Sequence, residues 1–157
     1  MVKLLQSKRG EFASQLAALG VADENNFIPG RTTHSGSAKL LFFISSNIAL
    51  FDFYLTRDVV LIFTKNKLMI QYGKEWRPWL KVTKKQRALN HGLVILPYEK
   101  ISHFTVEEQA LDTNLTFNVG EKIYRFWLND SKTGPMAFSG ENYRHLVAQH
   151  WYGLEGK

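Results

Sequence analysis

The segment Val59-Val60-Leu61-Ile62-Phe63-Thr64-Lys65-Asn66-Lys67-Leu68-Met69-Ile70-Gln71 sets two apolar runs on either side of a short polar interruption. Runs rich in β-branched and aromatic residues favour strands, and so short a link pairs them as an antiparallel hairpin. Asn tolerates positive φ at little cost, so a tight two-residue turn is expected at Asn66, fixing the register of the pair.

Similar runs recur along the chain. Leu40–Ser45 and Ile48–Leu55 read as core strands, with a buried helix as the other reading; Leu93–Leu96 and Ile101–Glu107 read as strands. Leu115–Val119 and Ile123–Leu128 alternate apolar and polar residues around Gly120-Glu121-Lys122, and form the clearest hairpin of the chain. Two segments change period. Phe12, Leu16 and Leu19 have helical spacing within Glu11–Leu19, and Gly20 stands where a helix would stop. Near the other end, Tyr143, Leu146, Val147, His150 and Trp151 fall on one helical face before Gly153. Ser139 is the expected N-cap there, with Phe138 and Tyr143 as a hydrophobic staple. Between the first helix and the strands, residues 22–36 lose periodicity and collect Asn25, Asn26, Pro29, Gly30 and Gly36, and read as a loop.

With 157 residues and 45% hydrophobic content, one domain can bury a sizeable core without staples. No cysteine is present, which removes disulfides, thiolate nucleophiles and zinc–thiolate clusters and makes the cytoplasm the default compartment. The N-terminal residues lack the sustained apolar run of a secretory signal, so no leader is expected. Leu40–Leu55 is broken by Ser45, Ser46, Asn47 and Asp52. A carboxylate in mid-span costs roughly 2.5–3.5 kcal/mol, so a membrane helix is the weaker reading.

A succession of antiparallel strands closed by one C-terminal amphipathic helix resembles the pleckstrin-homology-like (PH-like) barrel, whose helix plugs an open end. Leu61–Ile70 resembles the strand–turn–strand opening of bacterial PH-like domains, and Leu96-Pro97-Tyr98-Glu99-Lys100-Ile101 resembles their next landmark. The likeness covers residues 59–153. The resulting fold class is mainly β with α: a PH-like antiparallel barrel or sandwich over residues 38–157, preceded by a helix-and-loop appendage over residues 1–37. The resemblance implies a binding module for lipid, peptide or protein. It also implies headgroup cations around the first strand–turn–strand loop, which is the turn at Asn66, and only Lys65 and Lys67 are on offer there. These are secondary candidates, and phosphoinositide recognition at that loop is not expected.

The densest functional signal is the stretch 74–87. Lys74, Arg77, Lys81, Lys84, Lys85 and Arg87 face one acid, Glu75, so the stretch carries five of the six net positive charges of the chain. Trp76 and Trp79 are interleaved. Indoles prefer membrane interfaces, and each cation near an anionic surface adds roughly 1 kcal/mol, so the expected partner is an anionic lipid surface or an acidic protein. The same residues suit a solvated charged ribbon whose tryptophans pack on the barrel. A peptide in the groove between a strand and the C-terminal helix is the alternative, favoured by exposure of Phe126, Trp127, His150 or Trp151. Single-stranded nucleic acid, with bases stacked on the indoles, ranks last. The basic stretch follows the second strand of the family likeness and is expected toward the other end of the barrel from the turn at Asn66.

No enzymatic constellation is legible. His34, His91, His103, His145 and His150 are scattered, and His145 and His150 miss the three- or four-residue spacing that ligation from one helix face needs; one surface and one core histidine are expected there. Gly30–Lys39 misses phosphate-loop spacing and reads as a linker. Asn114-Leu115-Thr116 matches a glycosylation acceptor by chance in a cytoplasmic chain. No metal or cofactor is called for. The overall expectation is a non-enzymatic module, cytoplasmic or peripheral at a membrane.

Overall fold

The computed structural model describes residues 2–33, 58–72 and 92–157. Seven strands form one antiparallel sheet: β1 (Phe27–Thr32), β2 (Asp58–Phe63), β3 (Lys67–Tyr72), β4 (Leu93–Pro97), β5 (Ile101–Glu108), β6 (Thr113–Val119) and β7 (Lys122–Leu128). Helix α1 (Val2–Ala18) precedes them and helix α2 (Ala137–Ala148) follows. The readings of 40–45 and 48–55 lie outside the described residues.

The strand order is β4-β3-β2-β1-β7-β6-β5, so consecutive strands are neighbours except at one place. The edge strands β4 and β5 are themselves consecutive in the chain, joined by a single 3-10 turn, Tyr98–Lys100. From Pro97 to Ile101 the backbone reaches at most about 14 Å. The edges of a flat seven-stranded sheet would stand about 29 Å apart. The sheet therefore rolls until its edges meet at Tyr98, and α2 with the residues after it fills the inside.

Burial follows from this shape. In β6 and β7 alternate residues point inward, as their sequence pattern predicts: Leu115, Phe117, Tyr124, Phe126 and Leu128 are buried. In β2 all five residues from Val59 to Phe63 are buried, because both faces of the strand are covered. Val59, Leu61 and Phe63 face the interior with Trp151 and Leu146. Val60 and Ile62 face outward with Met69, Phe27 and Phe138, under Leu16 of α1. Helix α1 is thus a second layer against the sheet and begins nine residues before the expected Glu11. Arg9 anchors it, donating to Asp23 at 3.2 Å and Asn25 at 2.8 Å with its guanidinium 5.8 Å from the Phe27 ring.

Several expectations are corrected. The supposed loop over residues 22–36 contains β1, which lies between β2 and β7. Pro29 is tolerated there for a definable reason. Phe63 donates to the Asn26 carbonyl at 2.8 Å, so even-numbered β1 residues exchange hydrogen bonds with β2 and Pro29 turns its missing N–H toward the β7 side. Pairing with β7 begins only at Gly30, and the Pro29 carbonyl accepts from the Asn129 N–H at 2.8 Å. Because β1 precedes it, the hairpin at 59–71 joins the second and third of the described strands, where the resemblance takes it as the family's opening pair. Its turn is Thr64-Lys65-Asn66, and Asn66 does not have positive φ. The Thr64 hydroxyl closes it by donating to the Lys67 carbonyl at 2.9 Å.

At the C-terminal end, α2 starts two residues before Ser139, whose hydroxyl donates to the Met136 carbonyl at 2.6 Å instead of capping. Phe138 and Tyr143 belong to different apolar clusters, so they form no staple. The right-handed helix ends at Ala148. His150, Trp151 and Tyr152 have φ of 49°, 51° and 55°, a left-handed turn that swings Trp151 into the core while His150 and Val147 stay exposed. Asn142 ties α2 to β1 by donating to the Phe27 carbonyl at 2.9 Å.

Candidate functional site

The register pairs Arg31 with Asp58, Val59 with Tyr72 and Gln71 with Leu93. Thr33, Asp58, Tyr72 and Gly92 therefore share one end of the β1–β4 half of the sheet. Both long connections, 34–57 and 73–91, leave and return at that end. Lys74, Trp76, Arg77, Trp79, Lys81, Lys84, Lys85 and Arg87 all fall in the second connection and lie outside the described residues.

Beside this end, on the outward face, lies a groove of about 850 Å³. Its walls are Phe12 and Gln15 of α1 with Leu19 just after it, and its floor includes Pro29, Val60 and Trp127. At its rim the Arg31 Nε donates to Asp58 Oδ1 at 3.0 Å. Both side chains are exposed, and a pair of that kind contributes about 0–1 kcal/mol to stability, so it is better regarded as surface chemistry than as a structural clamp. Arg31 escaped the sequence reading because the strand carrying it was hidden by the turn-forming word Pro29-Gly30.

Lys65 and Lys67 occupy the opposite end of the same hairpin. Lys65 is exposed and Lys67 half-buried. The turn is pinned by the 3-10 segment: the Tyr98 hydroxyl donates to the Thr64 carbonyl, and the Tyr98 N–H donates to the Asn66 carbonyl at 3.1 Å. Burial pushes the Tyr98 phenol well above its usual range, and the nearby Tyr152 phenol adds to the shift. Five residue steps of β3 separate Lys67 from Tyr72, about 17 Å. The turn that carries Lys65 and Lys67 thus lies at the opposite end of β3 from Tyr72, after which the connection 73–91 begins.

The space between β5 and α2 is bridged. The Tyr143 hydroxyl donates to Glu108 Oε1 at 2.6 Å, and burial, that bond and the Glu108 charge together raise its pKa well above the usual phenol range. Further along, the Phe104 N–H donates to the Lys157 carbonyl at 3.1 Å and the Lys157 ammonium donates to the Tyr98 carbonyl at 2.9 Å. Of the four residues that bear on a peptide groove, Phe126 and Trp151 are buried, Trp127 is half-buried and His150 is exposed.

Comparison with protein-family models, with curated proteins and with solved structures finds no match to this chain. The site must be read from its own residues. Among the described residues no three metal-ligating side chains come together, and no helix is long and apolar enough to cross a membrane. His145 is half-buried and His150 exposed, so neither is a core histidine. Asn114 lies within β6, paired with Glu107 and Trp127, and Leu115 beside it is buried.

Proposed function

We propose that this chain is a PH-like binding module that attaches to an anionic membrane surface through the basic, tryptophan-bearing stretch 74–87. The PH-like reading is supported by a meander of seven strands whose edges meet at one short turn and whose interior receives the C-terminal helix. The attachment reading is supported by one observation above the rest: connections 34–57 and 73–91 are tethered at the same end of the sheet. One carries Leu40-Leu41-Phe42-Phe43-Ile44 and Phe51-Asp52-Phe53-Tyr54-Leu55; the other carries six cations with Trp76 and Trp79. Cations for anionic headgroups and aromatic rings for the interface are what peripheral attachment uses. Lipid-binding members of the family gather cations around the loop between their first two strands. Residues 34–57 connect the first two described strands, β1 and β2, and the ends of the basic connection are anchored beside theirs.

Sedimentation with vesicles tests the proposal. The chain is expected to pellet with phosphatidylserine-containing vesicles at low salt, to release as salt rises, and to ignore neutral vesicles. Failure to pellet with either vesicle at low salt removes the lipid reading. An acidic protein then becomes the partner to seek, by pulldown with the intact chain.

A further inference from the structure

We infer that His150–Lys157 is a strained latch that seals the seam between the edge strands β4 and β5 and opens as one unit while the rest of the sheet stays folded. Among the described residues β4 and β5 are the two edges of the sheet and are joined at Tyr98–Lys100, which leaves a seam between them. The latch lies against it at Tyr98 and at the β5 edge. Trp151 packs against Phe63 of β2 with ring centroids 5.3 Å apart and against Phe104 of β5 at 5.8 Å. Leu154 is fully buried behind it, and the Lys157 main chain and ammonium close on Phe104 and Tyr98.

The latch is held against its backbone preference. His150, Trp151 and Tyr152 are all left-handed, a conformation in which a β-carbon crowds the following carbonyl, and consecutive non-glycine residues rarely share it. The strand it touches is strained at the same place. His103 has φ of 52° within the bulge between Ser102 and Thr105, next to the Phe104 amide that receives the latch. Four of the five left-handed non-glycine residues among those described therefore meet around Phe104 and Trp151. Burial of Trp151 and Leu154 holds this arrangement closed. Opening relieves the strain, uncovers the β5 edge at Phe104 and empties the slot between Phe63, Phe104 and Tyr143.

Native-state amide hydrogen exchange on the intact chain, read by NMR, tests this. The amides of Phe104, Leu154 and Lys157 are expected to exchange through one common opening, at least about tenfold faster than the paired amides of β6 and β7. In a Glu155→Ala background, which takes the 2.8 Å His150 Nδ1–Glu155 Oε2 contact out of the comparison, His150→Asn places at an exposed position a residue that accepts left-handed geometry more readily. It is expected to slow the common opening severalfold and leave the β6 and β7 amides unchanged; Trp151→Phe is expected to speed it. The latch is overturned if the three amides exchange at the rate of β6 and β7, if each opens at its own rate, or if His150→Asn leaves their exchange unslowed.

Discussion

Trp151 stands edge-on to Phe63, their planes inclined at 64°, and so joins the second strand to a turn nearly ninety residues later in the chain. The same indole touches Phe104 and Tyr143, so three elements share one side chain with only 3% of its surface exposed. Trp151→Ala is expected to destabilise the fold by about 3–5 kcal/mol, the range for removing a large buried aromatic. Ile123→Ala, which removes an apolar side chain that is 51% exposed on β7, should change stability by less than about 1 kcal/mol. Urea denaturation of both variants checks this ordering.

Two glycines should respond in opposite directions to the same change. A β-carbon at Gly30 would lie 2.4 Å from the Trp127 carbonyl oxygen, where β1 and β7 cross closely. Backbone must move to admit it, so Gly30→Ala should cost about 1–3 kcal/mol. Gly10 lies inside α1 with nothing within 4 Å of its β-carbon position, so Gly10→Ala should stabilise by about 0.5–1 kcal/mol. Thermal melts of the two variants would decide it; equal shifts would mean that β1 and β7 are not apposed as described.

The contrast between β1 and the other strands explains what the sequence could reveal. Strands β2, β3, β6 and β7 announce themselves because their own residues carry the apolar pattern and their turns are short. In β1, Phe27-Ile28 is only two residues long before Pro29-Gly30, and its strand state comes from β2 and β7 on either side. The left-handed turn at 150–152 is equally hidden, since none of its residues is glycine and the helical period of α2 continues through it in the sequence. The candidate site inherited the first difficulty. The cations of 74–87 were legible from composition, but their anchorage beside the other long connection depends on β1 standing next to β2.

Tyr98 and Tyr143 tie the fold to alkaline pH. Each phenol has a pKa raised by burial, so the folded chain holds both protons more tightly than the unfolded chain does. Their contribution is complete below the ordinary tyrosine pKa of about 10. Above it the unfolded chain releases protons that the folded chain retains, and stability falls as pH rises. The urea midpoint of the wild-type chain is expected to drop between pH 9 and 11, and Tyr98→Phe and Tyr143→Phe should each flatten that slope. An unchanged slope in both variants would show that these phenols do not titrate differently on folding.

The separation of Lys65 and Lys67 from Tyr72 gives the membrane proposal an internal control. The turn lies about 17 Å from the end at which 73–91 is anchored. That exceeds the Debye length of about 10 Å at 0.1 M salt, so cations at the turn add little to a surface held at the other end. Replacing Lys84 and Lys85 with Gln removes about 2 kcal/mol of attraction to anionic vesicles, close to a 30-fold weaker affinity. Lys65→Gln with Lys67→Gln should leave affinity within about twofold under the same conditions. The turn variant should fold, because Lys65 is exposed and the Thr64 hydroxyl, not either lysine side chain, closes the turn. Vesicle titration at 0.1 M salt compares them directly. A larger loss from the turn variant would move the attachment face to the Thr64–Lys67 end, where the resemblance first placed the headgroup cations.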